Sequence, residues 1–135
     1  MTNADISEEL RAFLLEYVHT YEQLETLFLL YEHAGQDWTA DAVSEQLKIP
    51  DALAADTLLE LSANLVLERV GTSPSSYRLS RSDVRSMVQS LSHLYKEHRL
   101  GVMQLMNANA IERVRTGALR AFSDAFIIGG RKKDG

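Results

Sequence analysis

The sequence predicts a mainly α-helical chain with one small β-hairpin, flanked by an N-terminal helix and a long C-terminal helix. Two observations predict it. Apolar residues recur in steps of three and four along most of the 135 residues, the period of a helix with one buried face. Only over residues 65–79 does the period change, to a β-prone run, a Gly/Ser/Pro turn and a second short run, which is hairpin chemistry.

The first helix is expected from Asp5, which with Glu8 has the spacing of a capping box. Ile6, Leu10, Phe13, Leu14 and Tyr17 make its apolar stripe, and Glu8 and Glu9 suit the positive end of the helix dipole. Thr20 and Gln23 form a second capping pair, followed by Leu24, Leu27, Phe28 and Tyr31, with Gly35 as the stop. A short third helix follows Thr39, with Trp38 and Val43 at hydrophobic-staple spacing and Val43 and Leu47 inward. Pro50 suits the first turn of a fourth helix, where its missing N–H costs nothing. Leu53, Thr57, Leu58, Leu61 and Leu65 line the inner side of that helix, which should end near Asn64. Leu65 to Val70 and Tyr77 to Leu79 are the expected strands, with the turn over Gly71 to Ser76.

Arg81 to Asn107 then reads as one long helix. Val84, Val88, Leu91, Tyr95, His98, Val102 and Leu105 alternate in steps of four and three, a coiled-coil-like seam that predicts self-association into a homodimer or folding back on the N-terminal helix. Ile111 to Ile128 continues as helix. The organisation expected is therefore an N-terminal helix over 1–19, a hairpin-bearing domain over 20–80, a long helical region over 81–128 and a basic disordered tail over 129–135.

Composition narrows the function classes. With no Cys, disulfide frameworks, thiolate zinc sites and Cys nucleophiles are excluded. Neither a signal peptide nor a membrane-spanning run is seen, so the expected location is cytoplasmic, with no membrane partner. The net charge of −5 hides an asymmetry: residues 1–68 carry fourteen acids and two bases, and residues 69–135 carry twelve bases and five acids. Halves of −12 and +7 point to a charged partner or a steered self-contact, against the plain alternative of two solvated surfaces. No catalytic constellation is present. The four His are scattered, His93 and Glu97 form only a lone i,i+4 pair, and the Gly71–Ser75 tip lacks the second Gly and the Lys of a phosphate loop. No enzyme, cofactor or metal is expected.

The order of helix, helix, short helix, turn, helix and hairpin over Tyr21–Leu79 resembles a bacterial winged helix-turn-helix domain. Its landmarks are WTADAVSEQLKIP (38–50), LLELSANLVLERVG (58–71) and SSYRLS (75–80), and they cover under half of the chain. AFSDAF (121–126) followed by RKKD (131–134) resembles the ending of small uncharacterised bacterial winged-helix proteins. The resemblance implies a regulator of transcription, with the fourth helix in the place of the recognition helix and the hairpin as the wing.

The fourth helix departs from that role. Asp51 to Asn64 contains no Lys or Arg, and its expected outer residues include Asp51, Ala52, Ala55, Asp56, Leu59 and Glu60. Base readout relies on Arg, Lys, Asn and Gln donors, and carboxylates repel phosphate. The candidate DNA contacts are instead Lys48, Arg69, Arg78, Arg81 and Arg85. Two readings follow. One is a non-enzymatic regulator that meets DNA mainly through the wing and the basic C-terminal half. The other is a protein-interaction adaptor whose docking face is the acidic fourth helix.

Overall fold

The computed structural model describes residues 6–125 in full and residues 126–134 only as the continuing backbone of a helix. The expected cap at Asp5 and the expected tail over 129–135 lie outside the fully described residues. The elements in chain order are α1 (Glu8–Tyr17), α2 (Tyr21–Glu32), β1 (Trp38–Thr39), α3 (Ala40–Leu47), α4 (Asp51–Ala63), β2 (Leu67–Thr72), β3 (Ser75–Leu79), α5 (Ser82–Glu97) and α6 (Arg99–Asp134).

Local chemistry sets the helix starts. Ser7 caps α1, its hydroxyl accepting from the Leu10 N–H at 3.2 Å. Thr20 accepts from the Gln23 N–H at 3.1 Å and Thr39 from the Ala42 N–H at 3.2 Å. Each hydroxyl thus satisfies one of the N–H groups that a helix start leaves without a partner. α2 ends at Glu32 with His33 as its C-cap, before Gly35 is reached. Pro50 occupies the N-cap of α4, and Asn64 its C-cap.

The hairpin is longer than the sequence suggests. β2 and β3 run on into the Gly/Ser segment, and the extra residue Val70 bulges between the Arg69–Tyr77 and Gly71–Ser76 pairs. Gly71 suits this position because a Cβ there would lie 2.7 Å from Ser76 Oγ. The antiparallel sheet has the order β1-β3-β2, with Trp38 paired to Tyr77. Trp38 therefore serves twice, in a two-residue strand too short to show a period and as a buried ring before α3.

One apolar core joins all the helices. Leu14 of α1, Leu24, Leu27 and Leu30 of α2, Val43 of α3, Leu58 and Leu61 of α4, and Val88 and Leu91 of α5 are fully buried in it, with Val102 from α6. This placement corrects the expected dimer seam. Val84, Val88, Leu91 and Val102 are buried within their own chain, and Tyr95, His98 and Leu105 are half-buried against it. The single long helix is also corrected. It breaks at His98, whose backbone turns to φ −136° and ψ 53°. The break lets α5 and α6 lie along the body of the chain, so the four-three seam faces inward.

Side chains hold α6 after the break. The Tyr95 hydroxyl meets that of Tyr21 at 3.4 Å, Arg99 donates to Tyr21 at 3.4 Å, and its guanidinium sits 5.5 Å from the Tyr95 ring centre. The hydrogen bond with Tyr95, with burial, pushes the Tyr21 hydroxyl from 10.0 up to about 12. Folding therefore favours the neutral phenol. Its contribution to stability should be intact below pH 10.0 and lost as pH rises through about 12. Absorbance titration should show one phenolate appearing late, and Tyr95→Phe should bring it earlier. Further along, Arg113 donates to the carbonyls of Leu15 and His19 at 3.5 and 3.4 Å, covering the C-terminal end of α1.

Two side-chain-bearing residues adopt left-handed backbone, Lys48 at φ 60° and Leu65 at φ 66°. Leu65 is 70% exposed, so its side chain gains little from burial while its Cβ is strained. Leu65→Gly should raise stability by about 0.5–1 kcal/mol, read as a higher thermal midpoint.

Candidate nucleic-acid interface

α3, the turn through Lys48 and α4 form a helix–turn–helix. Lys48 takes the left-handed conformation that closes α3, its N–H bonding the Ser44 carbonyl. The Ser44 hydroxyl donates to the Ile49 carbonyl at 2.6 Å, which fixes the turn. Ala54, Thr57, Leu58 and Leu61 point α4 into the core. Asp51, Ala52, Ala55, Asp56, Leu59 and Glu60 lie on its exposed side, with Leu59 58% exposed.

Glu60 differs from the other two carboxylates. It accepts a hydrogen bond from Nε2 of Gln23, a side chain 3% exposed whose Oε1 also accepts from the His19 N–H at 2.6 Å. Glu60 thus ties α4 to α2, which leaves Asp51 and Asp56 as the outward charges of α4. The i,i+3 pairing of Thr20 with Gln23 reveals the cap, but nothing in the sequence links Gln23 to a residue 37 positions on.

Between α4 and the hairpin runs an open groove of about 360 Å³, lined among others by Asp41, Ala55, Leu59, Arg69, Pro74 and Tyr77. Arg69 stands on β2 opposite the buried Tyr77. No ion pair among the described residues engages it, whereas the neighbouring Arg78 is 2.7 Å from Glu68, its cross-strand partner. That carboxylate lifts the Arg78 guanidinium above its ordinary range by hydrogen bond and charge. Arg78 stays largely exposed, so the pair is a weak one.

The five candidate cations do not converge. Lys48 is exposed at the α3–α4 turn, and Arg69 and Arg78 lie on the wing. Arg81 stands at the foot of the hairpin, 3.1 Å from Asp83, and lines a separate groove with Glu9, Phe13 and Leu65. Arg85 is exposed on α5. The sequence groups these five by sign of charge alone, because it does not show how the faces of the α3–α4 turn, the wing and α5 lie relative to one another. Among the described residues no group of three His, Asp or Glu is placed to hold a metal, and no helix is long and apolar enough to cross a membrane.

This architecture is a winged helix-turn-helix fold, and solved structures of that fold superpose on it. A homodimeric winged helix-turn-helix DNA-binding domain from Mycobacterium bovis, described as a possible ArsR-family transcriptional regulator, matches with a TM-score of 0.54 and 18% identity over 67% of this chain and 82% of its own. MepR, a transcription regulator of the Staphylococcus aureus multidrug efflux pump MepA, matches at 0.53 and 16% over 91% and 92%. The S. aureus MepR–DNA complex matches at 0.54 and 19% over 80% and 90%. No family model matches the sequence, and no curated protein is similar to it.

Proposed function

We propose that this chain is a non-enzymatic regulatory protein that binds duplex DNA as a homodimer, with the wing supplying the main contacts. The observation that carries the reading is Arg69, an exposed cation beside α4 that pairs with no acid among the described residues. The solved relatives of this fold described as DNA-binding support the class, and homodimeric assembly is supported by one of them. Arg78 can exchange Glu68 for a phosphate at little cost because its ion pair is solvent-exposed. Lys48 adds a third charge at the α3–α4 turn. α4 itself supplies shape and no base donors, so binding is led by phosphate contacts and has low sequence selectivity.

The test is binding of labelled random duplex to the intact protein and its variants. Asp51→Ala with Asp56→Ala should leave affinity unchanged or raise it several-fold, since two outward carboxylates no longer repel the backbone. Loss of binding in that variant would make α4 a base reader. A second reading has its own observation: Leu59 is 58% exposed between the carboxylates of α4, a composition suited to a basic protein surface. That reading expects no duplex binding at low salt.

A further inference from the structure

The cations of this chain are mostly guanidinium groups: ten are Arg and four are Lys, at positions 48, 96, 132 and 133. The two side chains differ in chemistry. A guanidinium stays charged, whereas a lysine amine is a nucleophile in its neutral form, and acetylation removes its charge for good. Of the five candidate DNA contacts, Lys48 alone carries an amine. It is also the only base between residues 12 and 68. Asp41, Glu45, Asp51 and Asp56, before and after it in sequence, are all exposed and repel phosphate.

The amine of Lys48 is presented to solvent. The residue is exposed, and no ion pair or side-chain hydrogen bond among the described residues engages it. The turn is held without its side chain, by the Lys48 N–H on the Ser44 carbonyl and the Ser44 hydroxyl on the Ile49 carbonyl. Its backbone is left-handed at φ 60°, where glycine would be less strained. What lysine adds at this position is its charged amine.

We propose that Lys48 is an acetylation site, modified by direct transfer, and that its acetylation releases the duplex. The inference rests on the DNA-binding reading above and adds its regulation. The donor is an activated acetyl group, carried as an acyl phosphate or a thioester. Neutral Nζ attacks the acetyl carbonyl carbon and a C–N bond forms. The bond from that carbon to the phosphate oxygen or the thiol sulfur breaks. Phosphate or thiolate leaves, and the proton of the amine passes to solvent. The product is a neutral amide. It removes the one positive charge of the helix–turn–helix, residues 38–64, while the four exposed acids remain. Arg69 and Arg78 cannot be switched in this way, so the wing holds a fixed charge and the turn a removable one.

The test incubates the full chain with acetyl phosphate and, in parallel, with acetyl-coenzyme A, and reads the modified positions by peptide mass spectrometry. Lys48 should be modified, and the donor that modifies it identifies the source. Affinity for random duplex should then fall about 10-fold at moderate salt, and the salt slope by about two, one contact on each of two copies. The thermal midpoint should not move. Lys48→Arg keeps the charge without the amine, so it should bind like untreated wild type and keep its affinity through the treatment. Lys48→Gln should bind like the treated protein. Lys48 left unmodified by both donors would overturn the site. Acetylated Lys48 with unchanged affinity would overturn the release, as would an equal loss in treated Lys48→Arg, which would move the effect to another amine. Untreated wild type that binds no duplex at low salt would overturn the DNA-binding reading and the release with it, and the mass measurement would still decide the site.

Discussion

Arg69→Glu combined with Arg78→Glu is expected to lower affinity for random duplex DNA about 100-fold at moderate salt, measured by fluorescence anisotropy. Each reversal removes one cation from the wing and places a carboxylate in the same field, so lost attraction and new repulsion add. The effect at Arg78 is enlarged by its neighbour: Glu68, now 2.7 Å from the guanidinium, would be left without its partner. The salt slope should fall by about four in the homodimer, about one unit for each of the two phosphate contacts removed per copy. Both side chains are exposed, so the thermal midpoint should move little, and a weakened complex would not be explained by a weakened fold. Unchanged affinity in this variant would move the DNA-contacting surface away from the wing. The same pair of changes at Arg81 and Arg85 should cost much less, because Arg81 is engaged with Asp83 at the foot of the hairpin and Arg85 lies on α5.

Leu58→Ala should cost about 2–5 kcal/mol of folding stability, and Leu59→Ala less than about 0.5 kcal/mol. The two leucines are adjacent on α4, yet Leu58 is 0% exposed at the centre of the core and Leu59 is 58% exposed over the groove. Deleting Leu58 leaves a cavity in the core that α4 shares with α2, α3 and β2, where close-packed neighbours cannot collapse fully. Against a total stability of about 5–15 kcal/mol for such a domain, that loss is large enough to show as a fall in both midpoint and expression. Urea unfolding of the two variants side by side measures the difference. Equal losses would mean that α4 is rotated about its axis relative to the arrangement described.

Part of the rotation of α4 was legible: Thr57, Leu58 and Leu61 repeat at helical spacing beside Asp56 and are buried, whereas Leu53 and Leu65, also expected inward, are 37% and 70% exposed, and Ala54 takes the inner place. The caps at Thr20 and Thr39 were legible for the same local reason: a hydroxyl and the N–H three residues on are fixed by chain geometry alone. Long-range facts were not. A four-three apolar seam looks the same whether its cover is a second chain or the rest of its own, so Val88 and Leu91 stood open between a dimer seam and a fold back on the chain, and they belong to the core. The break at His98 carries no Pro or Gly of its own, though Gly101, three residues on, weakens the helix locally. It follows from tertiary contacts, with Tyr21, Tyr95 and Arg99 holding the chain on either side. β1 was missed because two residues are too few to show a period. For the candidate site, the absence of cations from α4 was readable at once. The separation of Arg81 from Arg69 and the anchoring of Glu60 by Gln23 depend on where distant segments meet.

The central claim is that this winged-helix protein holds duplex DNA by its phosphates, and a salt titration of the wild-type protein on random duplex tests it most directly. The account predicts measurable binding at low salt and a linear fall of log K against log salt with a slope between about −3.5 and −5.5, from two or three cations on each of two copies. Affinity should differ little between duplex sequences, because α4 presents no Arg, Lys or Gln to the bases. No binding even at low salt, or binding with a slope near zero, would contradict it.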